Sequence, residues 1–208
     1  MIKISTVFKA FRKINEKIFS VFYTPIAKIA LFLNGAKIGN NLYVKGLIKV
    51  YITRRGNLII GKNLRINSGS KHNIIGRQQK NIFWVEGKLS IGDNVGMSCS
   101  AIICNQSITI GNNVTIGGNT VIYDTNFHSL DPIFRLDRSL DNLNVHKAPV
   151  VICDNVFIGA HSTVLKGVTI GTNSIVGACS LVSKDIPENE IWGGNPARFI
   201  RKIPVNNK

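Results

Sequence analysis

Acidic residues are scarce in this chain of 208 residues, which has 11 Asp and Glu against 26 Lys and Arg. In residues 1–90 only Glu16 and Glu86 are acidic, whereas residues 91–208 have equal numbers of acidic and basic residues. One end of the molecule therefore has the whole net charge of +15. This imbalance predicts an anionic partner there, such as membrane headgroups, a phosphate-bearing lipid carrier or an acidic glycan. A merely solvated basic face is the alternative.

Several signatures of other protein classes are also missing. The cysteines show neither a close pair nor metal-ligand spacing, so we expect small buried or lining residues in a reducing compartment, with no metal: Cys99, Cys104, Cys153 and Cys179. No GxGxxG motif is present, which argues against a dinucleotide-binding domain, and no aromatic motif for reading nucleic acid accompanies the basic residues. Within residues 1–35 the longest uncharged run, residues 18–27, is too short to span a bilayer. We therefore expect a cytoplasmic protein that does not bind nucleic acid.

Repetition with a period of six residues is the strongest positive signal. Aliphatic residues recur at this interval over one unbroken run: Ile152, Ile158, Val164, Ile170, Val176 and Val182. The same phase reappears earlier in the chain, at Ile110, Ile116 and Ile122 and at Ile60 and Ile66. A strict period of six fits neither an α-helix nor a flat sheet with alternating faces. It is typical of a parallel β-helix, in which three six-residue units close one triangular coil of roughly eighteen residues.

We accordingly predict an all-β fold, a parallel β-helix of about seven coils with appended segments. The aliphatic residues should point inward and stack on their equivalents in neighbouring coils, while Asn, Asp and Gly should occupy the bends. The predicted domains are an N-terminal helical segment (1–35), the β-helix (36–191) with a loop insertion (123–149), and a C-terminal tail (192–208). A β-sandwich with short strands is the alternative, although period-two alternation is weak.

The N-terminal segment has the pattern of a basic amphipathic helix. Its apolar residues follow helical spacing: Ile4, Val7, Phe8, Phe11, Ile14, Ile18, Phe19 and Phe22. Basic residues fill the other face: Lys3, Lys9, Arg12, Lys13 and Lys17. We expect Pro25 to end this helix and a shorter one to follow from Ile26 to Asn34-Gly35. Residues 1–24 could contact the inner face of the cell membrane, or the helices could cap the open first coil. The two roles are compatible.

The insertion at 123–149 is too long for an ordinary turn, and a compact fold tolerates such a loop mainly where it has a function. It is rich in titratable groups: Asp124, His128, Asp131, Arg135 and His146. Outside it, residues that could shape an acceptor pocket are Ser98, Asn105, Gln106 and Trp192. A zinc site built from His128 with other histidines is not expected, because their spacing does not fit facing coils.

Three stretches carry a resemblance to a known family: DTNFHSLDP at 124–132, the repeat run at 152–182, and SKDIPENEIWGGNPARFIRKI at 183–203. With these the chain resembles the hexapeptide-repeat O-acetyltransferases, in particular the galactoside and maltose enzymes and those of capsule and O-antigen clusters. The resemblance implies a left-handed β-helix, a homotrimer, and an acetyl-CoA site in the cleft between neighbouring subunits.

The same resemblance assigns roles to individual residues. His128 matches the catalytic histidine, and Asp124 is expected to orient its imidazole or the acceptor. The backbone N–H of Ala160 is expected to stabilise the oxyanion. Ala160 and Ala178 are expected to line the pantetheine arm, Ser183 and Lys184 the adenosine end, and Arg198 and Arg201 the phosphates of acetyl-CoA.

The predicted function is transfer of an acetyl group from acetyl-CoA to a sugar hydroxyl of a surface polysaccharide or its precursor, with His128 as general base. The polarised charge favours this acceptor, because a small free sugar needs no basic end or apolar helix. Two alternatives stay open: acetylation of a small free saccharide or xenobiotic, and a non-catalytic β-helix scaffold.

Overall fold

The period-six residues fold into short parallel strands that wind around a common axis. In a computed structural model of the chain, residues 3–75 and 79–204 are described, without the side chains of residues 15–20. The side chains of Lys17, Ile18 and Phe19, which belong to the predicted helical pattern, lie outside this description.

Each coil passes through three strands, one on each face of a triangle. In chain order the first three coils contain β1 (Lys37–Ile38), β2 (Tyr43–Lys45), β3 (Lys49–Ile52), β4 (Asn57–Ile60), β5 (Arg65–Asn67), β6 (Ile82–Val85), β7 (Lys88–Ile91), β8 (Gly96–Ser98) and β9 (Ala101–Cys104). The next three contain β10 (Ser107–Ile110), β11 (Thr115–Ile116), β12 (Val121–Tyr123), β13 (Val150–Ile152), β14 (Phe157–Ile158), β15 (Thr163–Val164), β16 (Thr169–Ile170), β17 (Ile175–Val176) and β18 (Leu181–Val182).

The faces are three parallel sheets, which we call the first, second and third face in the order in which a coil visits them. Strands β1, β4, β7, β10, β13 and β16 form the first face; β2, β5, β8, β11, β14 and β17 belong to the second; β3, β6, β9, β12, β15 and β18 form the third. A partial seventh coil follows: Ile186 bridges to the first face, and β19 (Glu190–Gly193) extends the second. The estimate of about seven coils is therefore close.

The core is the stack of aliphatic residues that the repeat predicts. Ile110, Ile152 and Ile170 are partners in successive strands of the first face, and all three are buried. The other members of the run from Ile152 to Val182 are equally buried. Because parallel strands lie about 4.8 Å apart, each side chain contacts its equivalents above and below, and water is excluded from the axis.

A ladder of asparagines runs along the corner between the first and second faces. Its seven members have positive φ, which Asn tolerates better than most residues: Asn41, Asn63, Asn94, Asn113, Asn155, Asn173 and Asn189. Each side-chain amide donates to the next carbonyl oxygen, at 2.7 to 3.1 Å. The same residue therefore makes the bend and ties each coil to the next.

The N-terminal segment is one helix, α1 (Ile4–Leu33), with Pro25 inside it. The prediction that Pro25 ends the helix is wrong. An internal proline costs roughly 3 kcal/mol, and packing on the first coil offsets this loss: Ala27 and Leu31 are buried, and the Val44 N–H donates to Thr24 Oγ1 at 3.0 Å. No helix in the described part of the chain is both long and apolar enough to cross a bilayer.

Two excursions interrupt the coils, and only one of them was expected. Residues 68–81 leave the second coil between β5 and β6, a loop that the repeat pattern did not reveal. Residues 124–149 leave the fourth coil between the third and first faces, and contain a short 3-10 helix (Phe134–Leu136) and α2 (Arg138–Leu143). The tail was expected to leave the β-helix, but β20 (Arg198–Lys202) pairs antiparallel with β19 at the end of the second face.

Candidate active site

The insertion brings an imidazole and a carboxylate into direct contact. His128 Nδ1 lies 2.6 Å from Asp141 Oδ2, and the histidine side chain is 71% exposed while that of Asp141 is 11% exposed. Asp141 belongs to α2, thirteen positions beyond His128. With Nδ1 held by the carboxylate, the Nε2 atom is the nitrogen left to exchange a proton with a ligand.

Backbone hydrogen bonds hold the two ends of the insertion together. They fix the position from which the chain leads to His128. The Asn126 N–H donates to the His146 carbonyl at 3.1 Å, and the Ala148 N–H donates to the Asp124 carbonyl at 3.0 Å. Phe127 has a φ of +64°, a strained conformation for an aromatic residue. Its N–H donates to Thr125 Oγ1 at 3.1 Å, and this bond helps to hold the turn. The turn changes the chain direction just before the histidine.

Asp141 is itself held in place by neighbouring residues of the insertion. Its Oδ1 atom accepts the Ser129 N–H at 2.7 Å, while the Ser129 carbonyl accepts from Arg135 Nη1 at 2.7 Å. The Asp137 carboxylate caps α2 by accepting two backbone N–H groups. The hydrogen bond from His128 lowers the pKa of Asp141, and the Ser129 N–H and the charges of His128 and Arg135 lower it further. A carboxylate that stays ionised keeps the proton of the neutral imidazole on Nδ1.

Asp124 has a different set of partners from the one predicted. Its side chain is buried, and its two oxygens accept the N–H groups of Asn105, Gln106 and Ser107, each at 2.7 Å. This contradicts the prediction that Asp124 orients the imidazole or the acceptor, because that role belongs to Asp141. Asp124 instead ties the base of the insertion to the bend of the coil below. Its proximity to a histidine in the sequence was misleading.

Cys104 is not a good candidate nucleophile at this site. Cys104 lies in the core near Asp124, and burial together with the carboxylate charge raises the pKa of its thiol to about 12. Because the thiolate is the reactive form, this cysteine is inert near neutral pH. The four cysteines are free thiols in this structure.

The two alanines predicted to line the pantetheine arm occupy equivalent positions at the corner between the second and third faces. The Cys179 N–H, next to Ala178, donates to the Ala160 carbonyl at 2.8 Å. Ala160 is half-buried and Ala178 is exposed. The Ala160 N–H donates no hydrogen bond to any acceptor within residues 3–75 and 79–204. It is therefore available to donate to a ligand.

The other predicted cofactor residues fall into two groups at the last coils. Ser183 and Lys184 are exposed, directly after β18, at the corner between the third and first faces. Arg198 and Arg201 are exposed on β20, opposite Gly193 and Ile191 respectively. Both arginines lie on a strand at the edge of its sheet.

An aromatic groove of about 430 Å³ opens next to Phe127 on the outer side of the third face. Its lining residues come from the first three coils and the insertion: Lys49, Ile82, Trp84, Glu86, Ile103, Asn105 and Phe127. The Trp84 ring stacks on Tyr51 with centroids 4.2 Å apart, and its Nε1–H donates to Glu86 Oε1 at 3.0 Å. Of the suggested pocket residues Asn105 lies here, whereas Ser98 and Trp192 lie on the second face.

One chain does not bring the histidine and the alanine corner together. His128 leaves the corner between the third and first faces, whereas Ala160 lies at the corner between the second and third. One face separates these corners, and a six-residue unit spans on the order of 15–20 Å. Among the residues that the structure describes, no three His, Cys, Asp or Glu side chains cluster as metal ligands do.

This architecture, a three-faced parallel coil with a histidine-bearing insertion, defines a hexapeptide-repeat protein. The family model described as "Bacterial transferase hexapeptide (six repeats)" matches residues 149–184. The chain is 32% identical over 162 residues to WbbJ of Escherichia coli (strain K12), whose name provisionally assigns it as a lipopolysaccharide biosynthesis O-acetyl transferase, with 76% of this chain and 78% of WbbJ covered. The chain therefore belongs to the hexapeptide-repeat transferase family.

Two further relatives agree with this assignment. The chain is 36% identical over 134 residues to the galactoside O-acetyltransferase of Escherichia coli (strain K12), covering 60% of this chain and 63% of that one. With other curated relatives the match spans about half of their length. A hexapeptide-repeat acetyltransferase from Vibrio cholerae O1 biovar eltor, solved with acetyl-coenzyme A, superposes with a TM-score of 0.51 at 28% identity, covering 86% of this chain and 76% of that one. The predicted left-handed parallel β-helix is confirmed.

Proposed function

We propose that this protein is an acetyl-CoA-dependent O-acetyltransferase that acts on a saccharide hydroxyl, with His128 as the general base. The observation that carries the proposal is the pair of His128 and Asp141, in which Nδ1 is 2.6 Å from a carboxylate oxygen and the imidazole is exposed. A scaffold has no need of a histidine held in this way. The related galactoside O-acetyltransferase and WbbJ support a sugar acceptor.

The reaction that this geometry supports needs no covalent bond to the protein. His128 Nε2 accepts the proton of the sugar hydroxyl as its oxygen attacks the carbonyl carbon of the thioester. The Ala160 N–H donates to the carbonyl oxygen while it carries negative charge. The carbon–sulfur bond then breaks, His128 returns the proton to the sulfur, and an acetyl ester and free coenzyme A result. Asp141 stabilises the imidazolium between the two proton transfers.

The site is proposed to be shared between two chains of a homotrimer. The support is the separation of His128 and Ala160 onto different corners of one chain. In the arrangement we propose, the insertion of one subunit reaches the alanine corner of its neighbour. Lys184, Arg198 and Arg201 are then the proposed partners of the phosphates and adenosine of coenzyme A.

We propose the aromatic groove beside Phe127 as the acceptor subsite. Sugars stack their apolar C–H faces on aromatic rings, while carboxylate and amide groups receive and donate hydrogen bonds to hydroxyls. Trp84, Glu86 and Asn105 supply these groups within one cavity. The basic residues of the first coils, Lys49 of the groove among them, support a polysaccharide or its precursor rather than a small free sugar as the acceptor, and the reaction is proposed to take place in the cytoplasm.

The experiment compares His128→Ala with a matched control, His146→Ala, in the same insertion. Purified variants are incubated with acetyl-CoA and a panel of methyl glycosides and oligosaccharides, and acetylated products are identified by mass spectrometry. The His128 variant should lose activity by about 10²–10⁴-fold while binding coenzyme A normally in calorimetry. The control, whose imidazole is exposed, should keep full activity. Equal turnover by both variants would contradict the assignment of the base, and no transfer by the unmodified protein to any saccharide would contradict the acceptor class.

A further inference from the structure

Helix α1 has two apolar sides that point in opposite directions. The inner side packs on the first coil, where Ala27 and Leu31 are 2% and 0% exposed and Thr24 bonds to Val44. This side covers the open end of the β-helix. The contacts of the inner side fulfil the capping role, one of the two roles that the sequence predicted for this segment. They involve only the last third of the helix.

The other side is an outer stripe of larger apolar residues. Each of its members is between 47% and 88% exposed: Ile4, Val7, Phe8, Phe11, Ile14, Phe22, Ile26, Ile29, Phe32 and Leu33. At 100° per residue these ten side chains fall within an arc of about 120°, and its centre lies about 180° from the side that packs on the coil. Capping therefore leaves the outer stripe exposed.

The outer stripe is long. It extends from the first to the last turn of a helix of 30 residues, which is about 45 Å in length. Monomeric globular proteins rarely expose an apolar surface of this extent without a partner. Four of its members are phenylalanines, a residue type that inserts well below the headgroups of a bilayer.

The charges around the outer stripe indicate which partner covers it. The rest of the helix surface has exposed cations at Lys3, Lys9, Arg12, Lys13 and Lys28. The first two coils add further exposed cations: Lys37, Lys49, Arg54, Arg55, Lys62 and Arg65. None of these side chains has an ion-pair partner among the described residues. In sequence, Glu16 is the single acidic residue before position 86.

These charges favour a lipid surface over a second copy of the helix. Two outer stripes packed against each other would bring two sets of cations together with almost no acidic residue to compensate them. An anionic bilayer instead receives the apolar stripe among its acyl chains and neutralises the flanking cations with its headgroups. We propose that α1 is an interfacial anchor, lying in the plane of an anionic membrane surface on its outer stripe.

The anchor also places the acceptor groove near the bilayer, a consequence that rests on the proposed function. Lys49 and Trp84 of the groove belong to the first two coils, the end of the β-helix that α1 covers. A saccharide attached to a membrane lipid through a phosphate would therefore meet both the basic coils and the groove. Binding of the membrane itself does not depend on acetyl transfer.

The experiment measures sedimentation of the full chain with vesicles of defined composition. Vesicles of phosphatidylcholine alone are compared with vesicles containing about one-quarter phosphatidylglycerol. The double variant Phe8→Glu/Phe11→Glu disrupts the outer stripe in a region far from the packed side. A control with the same charge change, Ile59→Glu/Ile74→Glu, alters exposed apolar residues outside the helix and outside the insertion.

The unmodified protein should bind the anionic vesicles at least about tenfold more tightly than the neutral ones, and more weakly in high salt. The stripe variant should lose about tenfold or more of this affinity, whereas the control should lose much less. Equal losses in the two variants would overturn the proposal, because charge alone would then explain the binding. So would a drop in oligomer mass of the stripe variant without vesicles, which would identify a second copy as the occupant. Acetyl transfer to a free saccharide, measured on the same samples, should be unchanged by either pair of substitutions and reports separately on the proposed function.

Discussion

Replacing Asp141 tests whether the carboxylate beside His128 controls the state of the imidazole. In Asp141→Asn the shape of the side chain is kept and the negative charge is lost. If the amide nitrogen faces His128, it donates to Nδ1 and favours the tautomer with its proton on Nε2. That tautomer cannot accept a proton from a hydroxyl. The expected loss in kcat approaches the whole contribution of a general base, about 10²–10⁴-fold.

Asp141→Ala should be less harmful than Asp141→Asn. The histidine side chain is 71% exposed, so water can replace the carboxylate at Nδ1 and leave the tautomer free to change. The insertion does lose the Ser129 N–H bond, so we expect a loss of about tenfold. The order of the two variants, with the amide worse than the alanine, is the specific signature of a positioning role.

The assay is steady-state acetyl transfer, with kcat and KM measured for the best acceptor of the saccharide panel and for acetyl-CoA. Asp137→Asn is the matched control, because it removes one charge from the same insertion and Asn caps a helix about as well as Asp. It should leave kcat unchanged. The reasoning is refuted if Asp141→Asn keeps near-normal kcat, or if the alanine variant is the worse of the two and its loss follows a fall in thermal stability.

Three further predictions follow from the structure. Equal mixing of inactive His128→Ala and Ala160→Trp chains before assembly should restore about a quarter of the sites, because each chain supplies the half that the other lacks; no recovery would contradict a shared site. Trp84→Ala should raise the KM for the saccharide by about tenfold and leave that for acetyl-CoA unchanged, and a pure kcat effect would exclude a binding role. The raised pKa of Cys104 should make the protein lose about 1.4 kcal/mol per pH unit between the thiol pKa of the unfolded chain, near 9, and the value of about 12 in the fold. The unfolded chain releases this proton first, so stability falls as pH rises; Cys104→Ala should lack this component in urea unfolding at about pH 8 and about pH 10.

Asp141 illustrates why parts of the site could not be predicted. The carboxylate that the sequence suggested as the partner of His128, at position 124, is buried and accepts three backbone N–H groups. The carboxylate that contacts the imidazole belongs to Asp141 of α2. It lies beside His128 because the insertion folds back on itself. Sequence distance says little about contacts inside a long loop, because the loop's path depends on what it packs against.

Helix α1 makes the same point about local rules. Pro25 is a sound signal for a helix end, yet the helix continues through it because Ala27, Leu31 and Thr24 gain contacts with the first coil. The excursion at 68–81 was missed for a related reason. The two weak repeats at Ile60 and Ile66 indicate a coil but do not reveal where the chain leaves it.

The sequence by itself determined the coil and its core, because a repeat of six residues imposes the same inward position on every strand. It also determined the location of the insertion that contains His128, because the repeat stops there. Only the tertiary structure decided the partner of the histidine, the groove beside it, the continuous helix and the separation of His128 and Ala160 onto different corners. The physical reason is that stacking is a nearest-neighbour interaction that repeats along the chain, whereas loop packing, capping and corner geometry join residues with no fixed spacing between them.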